Sequence, residues 1–151
     1  MKLEAEWSKY VTTRLRNAAW FVQRIESGTT GRGIPDIFVV SPDNKAFWIE
    51  NKILPGIPED KLALGAPVKI KLPYRPGQIS WHEQVYLATP VITLTGIVNS
   101  NKCMVTKFTP RLSLLRGYAT AVNATVREKC SFDTVVINKC DLLLALEAAI
   151  K

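Results

Sequence analysis

The 151 residues, 47% of them hydrophobic, suffice for one core and one domain spanning 1–151 without a second. Twenty Lys and Arg against 13 Asp and Glu give a formal net charge of +7, which fits a polyanionic partner without naming one. The chain has no basic and apolar leader and no apolar run of membrane-spanning length, so the expectation is a cytoplasmic protein with no membrane partner. Cys103, Cys130 and Cys140 are odd in number and lack a CxxC spacing, which argues against a disulfide scaffold and a zinc site and predicts buried thiols.

Leu3, Trp7, Tyr10, Val11, Leu15 and Ala18 recur at helical spacing and predict an amphipathic helix over 3–17. Glu4 falls within its apolar stripe and Glu6 well off its centre, although acids at a helix start also suit the backbone dipole. Trp20–Ile25 reads as a first strand, followed by Ser27–Gly33, a loop whose glycines permit either a close approach to a phosphate or a plain turn. Pro35-Asp36 then leads into the strand Ile37–Val40. Ser41-Pro42-Asp43-Asn44 is a turn signal, and Ala46–Ile53 rises again, so the unit is a β-hairpin. On an extended strand Glu50 and Lys52 share a face, and Asp36 at the mouth of the preceding strand comes to face Glu50. Taken singly, Glu-x-Lys is an ordinary solvated ion pair and Pro-Asp an ordinary turn. Two carboxylates and an ammonium gathered at one hairpin end are costly unless a divalent cation and a phosphate join them.

Leu54–Gly77 carries five prolines, too many for a helix, and is long for a connection, which suggests an insertion at about 54–77 that shapes substrate choice. Within it Val68–Leu72 alternates like an edge strand with Lys69 and Lys71 on one face. Gln78 to Leu87 reads as a helix ending near Pro90, and its His82 suits packing or hydrogen bonding better than base catalysis. Val91–Val98 and Met104–Phe108 read as strands, Arg111–Tyr118 as a helix capped by Thr109, Phe132–Ile137 as a short strand, and Asp141–Ile150 as a closing helix capped by Asp141. Residues from about 122 to 151 form a C-terminal extension. Two basic groups stand out, Lys61, Lys69, Lys71 and Arg75, and then Lys102, Lys107, Arg111 and Arg116 within an acid-free stretch from Gln84 to Val126; either serves solubility or a phosphate backbone.

In order and spacing, Pro35-Asp36 followed by Glu50-Asn51-Lys52 resembles the PD-(D/E)XK nuclease superfamily. With Glu4, Trp7, Tyr10 and Val11 before it and Arg75-Pro76-Gly77-Gln78-Ile79-Ser80-Trp81-His82 after it, the chain looks like the virus-type replication-repair nuclease (VRR-NUC) family. The resemblance runs from Glu4 to about Phe108. It implies an α/β (α+β) restriction-endonuclease-like core, a mixed central sheet flanked by helices in the order αβββαβ. It implies a Mg²⁺- or Mn²⁺-dependent endodeoxyribonuclease, with Glu4 (rather than Glu6), Asp36, Glu50 and the Asn51 carbonyl as metal ligands, Lys52 orienting the nucleophile, and Gln78 beside the metal. Arg32, Lys69, Lys71 and Arg75 are the expected DNA contacts. The implied substrate is branched DNA such as a Holliday junction, cut by a homodimer in phage or prophage replication, recombination or repair. The rival readings are a restriction-like or nicking nuclease, a non-catalytic DNA-binding module, and an interaction protein with an ordinary α/β core.

Overall fold

The computed structural model describes residues 2–25, 33–123 and 133–151. Helix α1 (Lys2–Asn17) buries Trp7, Val11 and Leu15, which lie four residues apart on one stripe. It stops where Ala19 turns into the left-handed region at φ 66° and the Trp20 N–H donates back to the Leu15 carbonyl.

Strands β1 (Phe21–Arg24), β2 (Ile37–Val40) and β3 (Ala46–Leu54) form an antiparallel meander. The predicted hairpin is present, with Ile37 opposite Ile49 and Val40 opposite Ala46. Its turn is fixed by the Lys45 N–H donating to Ser41 Oγ and by Asn44 at φ 65°. With nine residues, β3 outruns β2, and its second half lies parallel to β5 (Val91–Ile97), so Glu50 pairs with Thr93 and Lys52 with Thr95. On the β2 side those last residues have no strand beside them among the described residues.

The chain reaches β5 through α2 (Glu59–Ala63), β4 (Val68–Lys71) and α3 (Gln78–Val85). It continues as β6 (Lys102–Lys107), α4 (Pro110–Leu114), β7 (Tyr118–Asn123), β8 (Thr134–Asn138) and α5 (Leu142–Ala149). One mixed sheet runs β1-β2-β3-β5-β6-β8-β7-β4, so the proline-rich segment supplies an edge strand and β8 lies inside the sheet. A mixed sheet flanked by helices is the expected architecture, and its first elements follow the order αβββαβ once α2 and β4 are set aside. Helices α1 and α5 cover one face, over Ile49, Leu94, Val105 and Ile137; α2, α3 and α4 cover the other, over Val91, Met104 and Val136. The indole of Trp7 lies so close to Gly96 that a Cβ there would stand 2.7 Å from it, and its N–H donates to the Leu94 carbonyl at 3.1 Å.

Four local expectations need correction. A short helix, α2, forms inside Leu54–Gly77, because Pro58 sits at its N-cap position where no N–H is needed. The helix over Arg111–Tyr118 ends at Leu114, and Tyr118 opens a strand held between β4 and β8. Thr109 and Asp141 occupy N-cap positions without a side-chain capping bond. Cys140 is exposed, whereas Cys103 is buried, which pushes its thiol pKa up to about 12; Cys130 lies outside the described residues. Among the described residues no helix is long and apolar enough to cross a membrane.

Candidate active site

Alternation along β3 decides which way its polar residues point. Phe47 and Ile49 join the core under α1, while Trp48 and Leu54 pack on the α3 side, so Glu50 and Lys52 face α3 and Asn51 faces α1. All three are buried, at 2%, 0% and 3% exposure, which excludes the ordinary solvated ion pair. Lys52 Nζ stands 3.3 Å from Glu50 Oε2, and Glu50 Oε1 has no hydrogen-bond partner among the described residues.

Asp36 occupies the position that the hairpin register assigns opposite Glu50, one step beyond the Ile37–Ile49 pair. Its Oδ2 accepts the Asn51 N–H at 2.8 Å, replacing the ladder bond that β2 no longer provides. Burial raises the Asp36 pKa, opposed by the Asn51 N–H and the Lys52 charge, while Glu4 adds a like charge. Burial, reinforced by the charge of Asp36, lifts Glu50 from 4.5 to about 7, against the pull of Lys52 and Gln78.

Helix α1 brings Glu4 toward this pair. Ser8, one helical turn beyond Glu4 on the same face, accepts a hydrogen bond from Asn51 Nδ2 at 3.3 Å and ties the helix to β3. Glu4 is partly exposed, 4.0 Å from Arg75 Nη2, whereas Glu6 is exposed. Gln78 is buried at the start of α3, where its Oε1 accepts the Arg75 N–H at 2.7 Å and its side chain adjoins Glu50. The start of α3 also meets the segment leading to Asp36. Gly33, at φ 93°, lies against the Gly77 carbonyl, and a Cβ on Gly33 would stand 2.3 Å from that oxygen.

A chain of contacts thus runs from Asn51 through Asp36 to Glu50 and from Glu50 to Lys52 and Gln78, with Glu4 and Arg75 at the rim. Lys69 and Lys71 are exposed on β4, five strands from β3 in the sheet order, on the face opposite Glu50 and Lys52. Arg32 lies outside the described residues. Sequence reasoning overlooked Tyr74, whose hydroxyl shares a 2.7 Å hydrogen bond with Thr93, the strand partner of Glu50. It also overlooked a polar row, Glu50, Thr93, Thr106 and Thr134, in register across β3, β5, β6 and β8. Thr106 and Thr134 share a 2.7 Å bond there, and Asp133 Oδ1 accepts from Thr134 and from the Thr120 N–H. Alternating threonines on paired strands were the available signal.

Among the described residues no group of three His, Cys, Asp or Glu stands close enough together to enclose a metal ion. The donors present nevertheless suit a hard divalent cation: two adjoining carboxylates, one with an orphaned buried oxygen, and the Asn51 carbonyl, which shares its strand edge with the N–H bound to Asp36.

No family model matches the chain, and no curated protein does. Among solved structures, the chain is similar to a Holliday junction resolvase, Hjc, from the archaeal hyperthermophile Archaeoglobus fulgidus, at 10% sequence identity and a TM-score of 0.49 over 96% of this chain and 98% of that one.

Proposed function

We propose that this protein is a metal-dependent DNA endonuclease of the PD-(D/E)XK type, nearest in motif order to the VRR-NUC family. The observation that carries the reading is the buried meeting of Asp36, Glu50 and Lys52 where β3 outruns β2. A burial that raises two carboxylate pKa values and leaves one oxygen unpaired costs stability, and such strain concentrates at functional sites.

Asp36, Glu50 and the Asn51 carbonyl would hold Mg²⁺ or Mn²⁺, with Glu4 of α1 adding negative charge from the rim. When bound, the cation supplies charge neutralisation and Lewis acidity at a phosphodiester. Lys52 presents a fixed ammonium to the attacking oxygen and to the charge that builds on the phosphate oxygens. Gln78 holds Glu50 in place, and Arg75 stands at the rim, where a phosphate can displace it from Glu4. Branched DNA is the substrate this reading favours, and the paired cuts of junction resolution suit a twofold dimer.

Labelled four-way junction, flap, duplex and single strand are incubated with and without Mg²⁺ or Mn²⁺. The expected result is metal-dependent cleavage, strongest on the junction, reduced by on the order of 10²-fold or more in Asp36→Asn and in Lys52→Ala. Binding without cleavage of any substrate, under Mn²⁺ as well, would replace the enzyme with a DNA-binding module. Equal activity in both variants would assign the cleavage to a contaminant.

A further inference from the structure

The sheet face that carries Glu50 continues past the apolar layer toward the β1 edge. Strand pairing sets its side chains in rows across β1, β2 and β3. Phe21, Val40 and Ala46 form one row, and Gln23, Phe38 and Trp48 form the next; the register places Asp36 and Glu50 in the row after that. Neither β1 nor β2 contributes a residue to the apolar layer beneath α2, α3 and α4, and Phe21 is 55% exposed. Phe38, Trp48 and Trp81 are only partly buried. They meet edge to face, Phe38 with Trp48 at 4.9 Å and Trp48 with Trp81 at 5.3 Å between ring centroids, and among the described residues no other ring packs on Phe38.

A lone exposed aromatic is ordinary, whereas an aromatic shelf one row from two buried carboxylates asks for a ligand. Adjacent rows are two residues apart along the strand, about 7 Å, within the reach of one nucleotide from its phosphate to its base. The two rows hold no acidic side chain, Arg75 stands exposed at the rim of the site, and the chain carries a net charge of +7, so the surroundings suit a polyanion. A protein partner seated on the shelf would also close over Asp36 and Glu50 and shut the site. We propose that Phe38 and Trp48, braced by Trp81, form a stacking subsite for a nucleobase left unpaired beside the phosphate that meets Asp36 and Glu50. Such a base presents a free π-face, and stacking on aromatic rings holds it without reading its sequence. A fully paired duplex keeps its bases inside the helix, out of reach of the shelf, so the subsite selects DNA with an unstacked base at a branch, bulge or end. Placing that base next to the cleaved phosphate rests on the function proposed above.

The test measures binding without added metal, using a duplex with one unpaired adenine, the same duplex with an abasic residue in its place, and the fully paired duplex. The parent is expected to bind the unpaired adenine about tenfold more tightly than its abasic counterpart. In Phe38→Leu that ratio should fall to within about twofold of unity, and in Phe38→Tyr, which keeps a ring, it should persist. A parent ratio near unity overturns the subsite and needs no variant to do so. An unchanged ratio in a folded Phe38→Leu protein overturns it too, and if sedimentation then shows a lost self-association, the shelf is a contact between copies of this chain. The cleavage assay separates this inference from the nuclease reading: cleavage with no adenine preference sinks the subsite alone, preference without cleavage sinks the nuclease alone, and a parent that binds none of the three DNAs sinks both.

Discussion

Glu50 ties the stability of this protein to pH in an unusual direction for a carboxylate. Its pKa in the folded chain, about 7, lies above the ordinary 4.5, so the folded state holds the proton more tightly than the unfolded chain does. The stabilisation is complete below the unfolded value and is lost as pH rises through 7, the loss reaching about 3 kcal/mol by pH 8. Asp36, raised by the same burial, adds to the effect with the same sign. Glu50→Gln is therefore expected to raise the melting temperature of the metal-free protein, most at pH 8 and least at pH 5, while abolishing cleavage. Adding Mg²⁺ or Mn²⁺ to the parent should raise its melting temperature more at pH 8 than at pH 6, because the cation competes with the proton for the same carboxylates. Melting curves with and without metal at the three pH values check both outcomes. Asp36, Glu50 and Lys52 were legible in the sequence because a short turn and a period of two fix which residues meet. The contacts of Tyr74 with Thr93 and of Arg75 with Glu4 were not, since they depend on the path of a loop that long-range packing sets.

Helix α1 and strand β5 illustrate how the elements flanking the site hold it in place. Trp7 lies flat on Gly96 and reaches the Leu94 carbonyl, and one step along, Ser8 binds Asn51 beside the two acids. Gly96→Ala inserts a methyl group where the indole sits, and is expected to cost about 1–3 kcal/mol, read as a lower urea midpoint. Cleavage should fall by more than the unfolded fraction accounts for, because lifting the helix also carries Glu4 away from Asp36. Of the elements that the sequence announced clearly, α1 and β2 bury residues at a single period, whereas β5 and β6 are continuous buried runs bounded by turn residues. Strand β7 escaped because its four buried residues, Ala119 to Val122, show no alternation and two of them are alanine, the strongest helix former; its extended form comes from pairing with β4 and β8, neither of which is local. Helix α2 escaped because its five residues lie between prolines that break any longer pattern.

At the scale of the whole molecule, the sheet divides two apolar layers and carries the row of Glu50, Thr93, Thr106 and Thr134 on the α3 side, while Asn51, whose Oδ1 has no partner among the described residues, faces α1. The net charge of +7 is distributed differently: Arg75 stands at the site, and Lys69 and Lys71 stand at the far rim. At ~4.8 Å per strand, five strands put β4 about 24 Å from β3, on the order of seven base pairs of duplex. Among the described residues β4 is also a terminal strand whose outer backbone groups have no strand beside them, with exposed lysines at alternate positions and Lys71 resting 5.2 Å over the Tyr118 ring. Charges so placed deter another chain from adding itself to the sheet. A Lys69→Val/Lys71→Val variant is accordingly expected to self-associate in a concentration-dependent way, visible by light scattering, before any change in nucleic-acid affinity is measured. A variant that stays monodisperse and loses affinity would instead make this rim a handhold for a distant arm of the substrate.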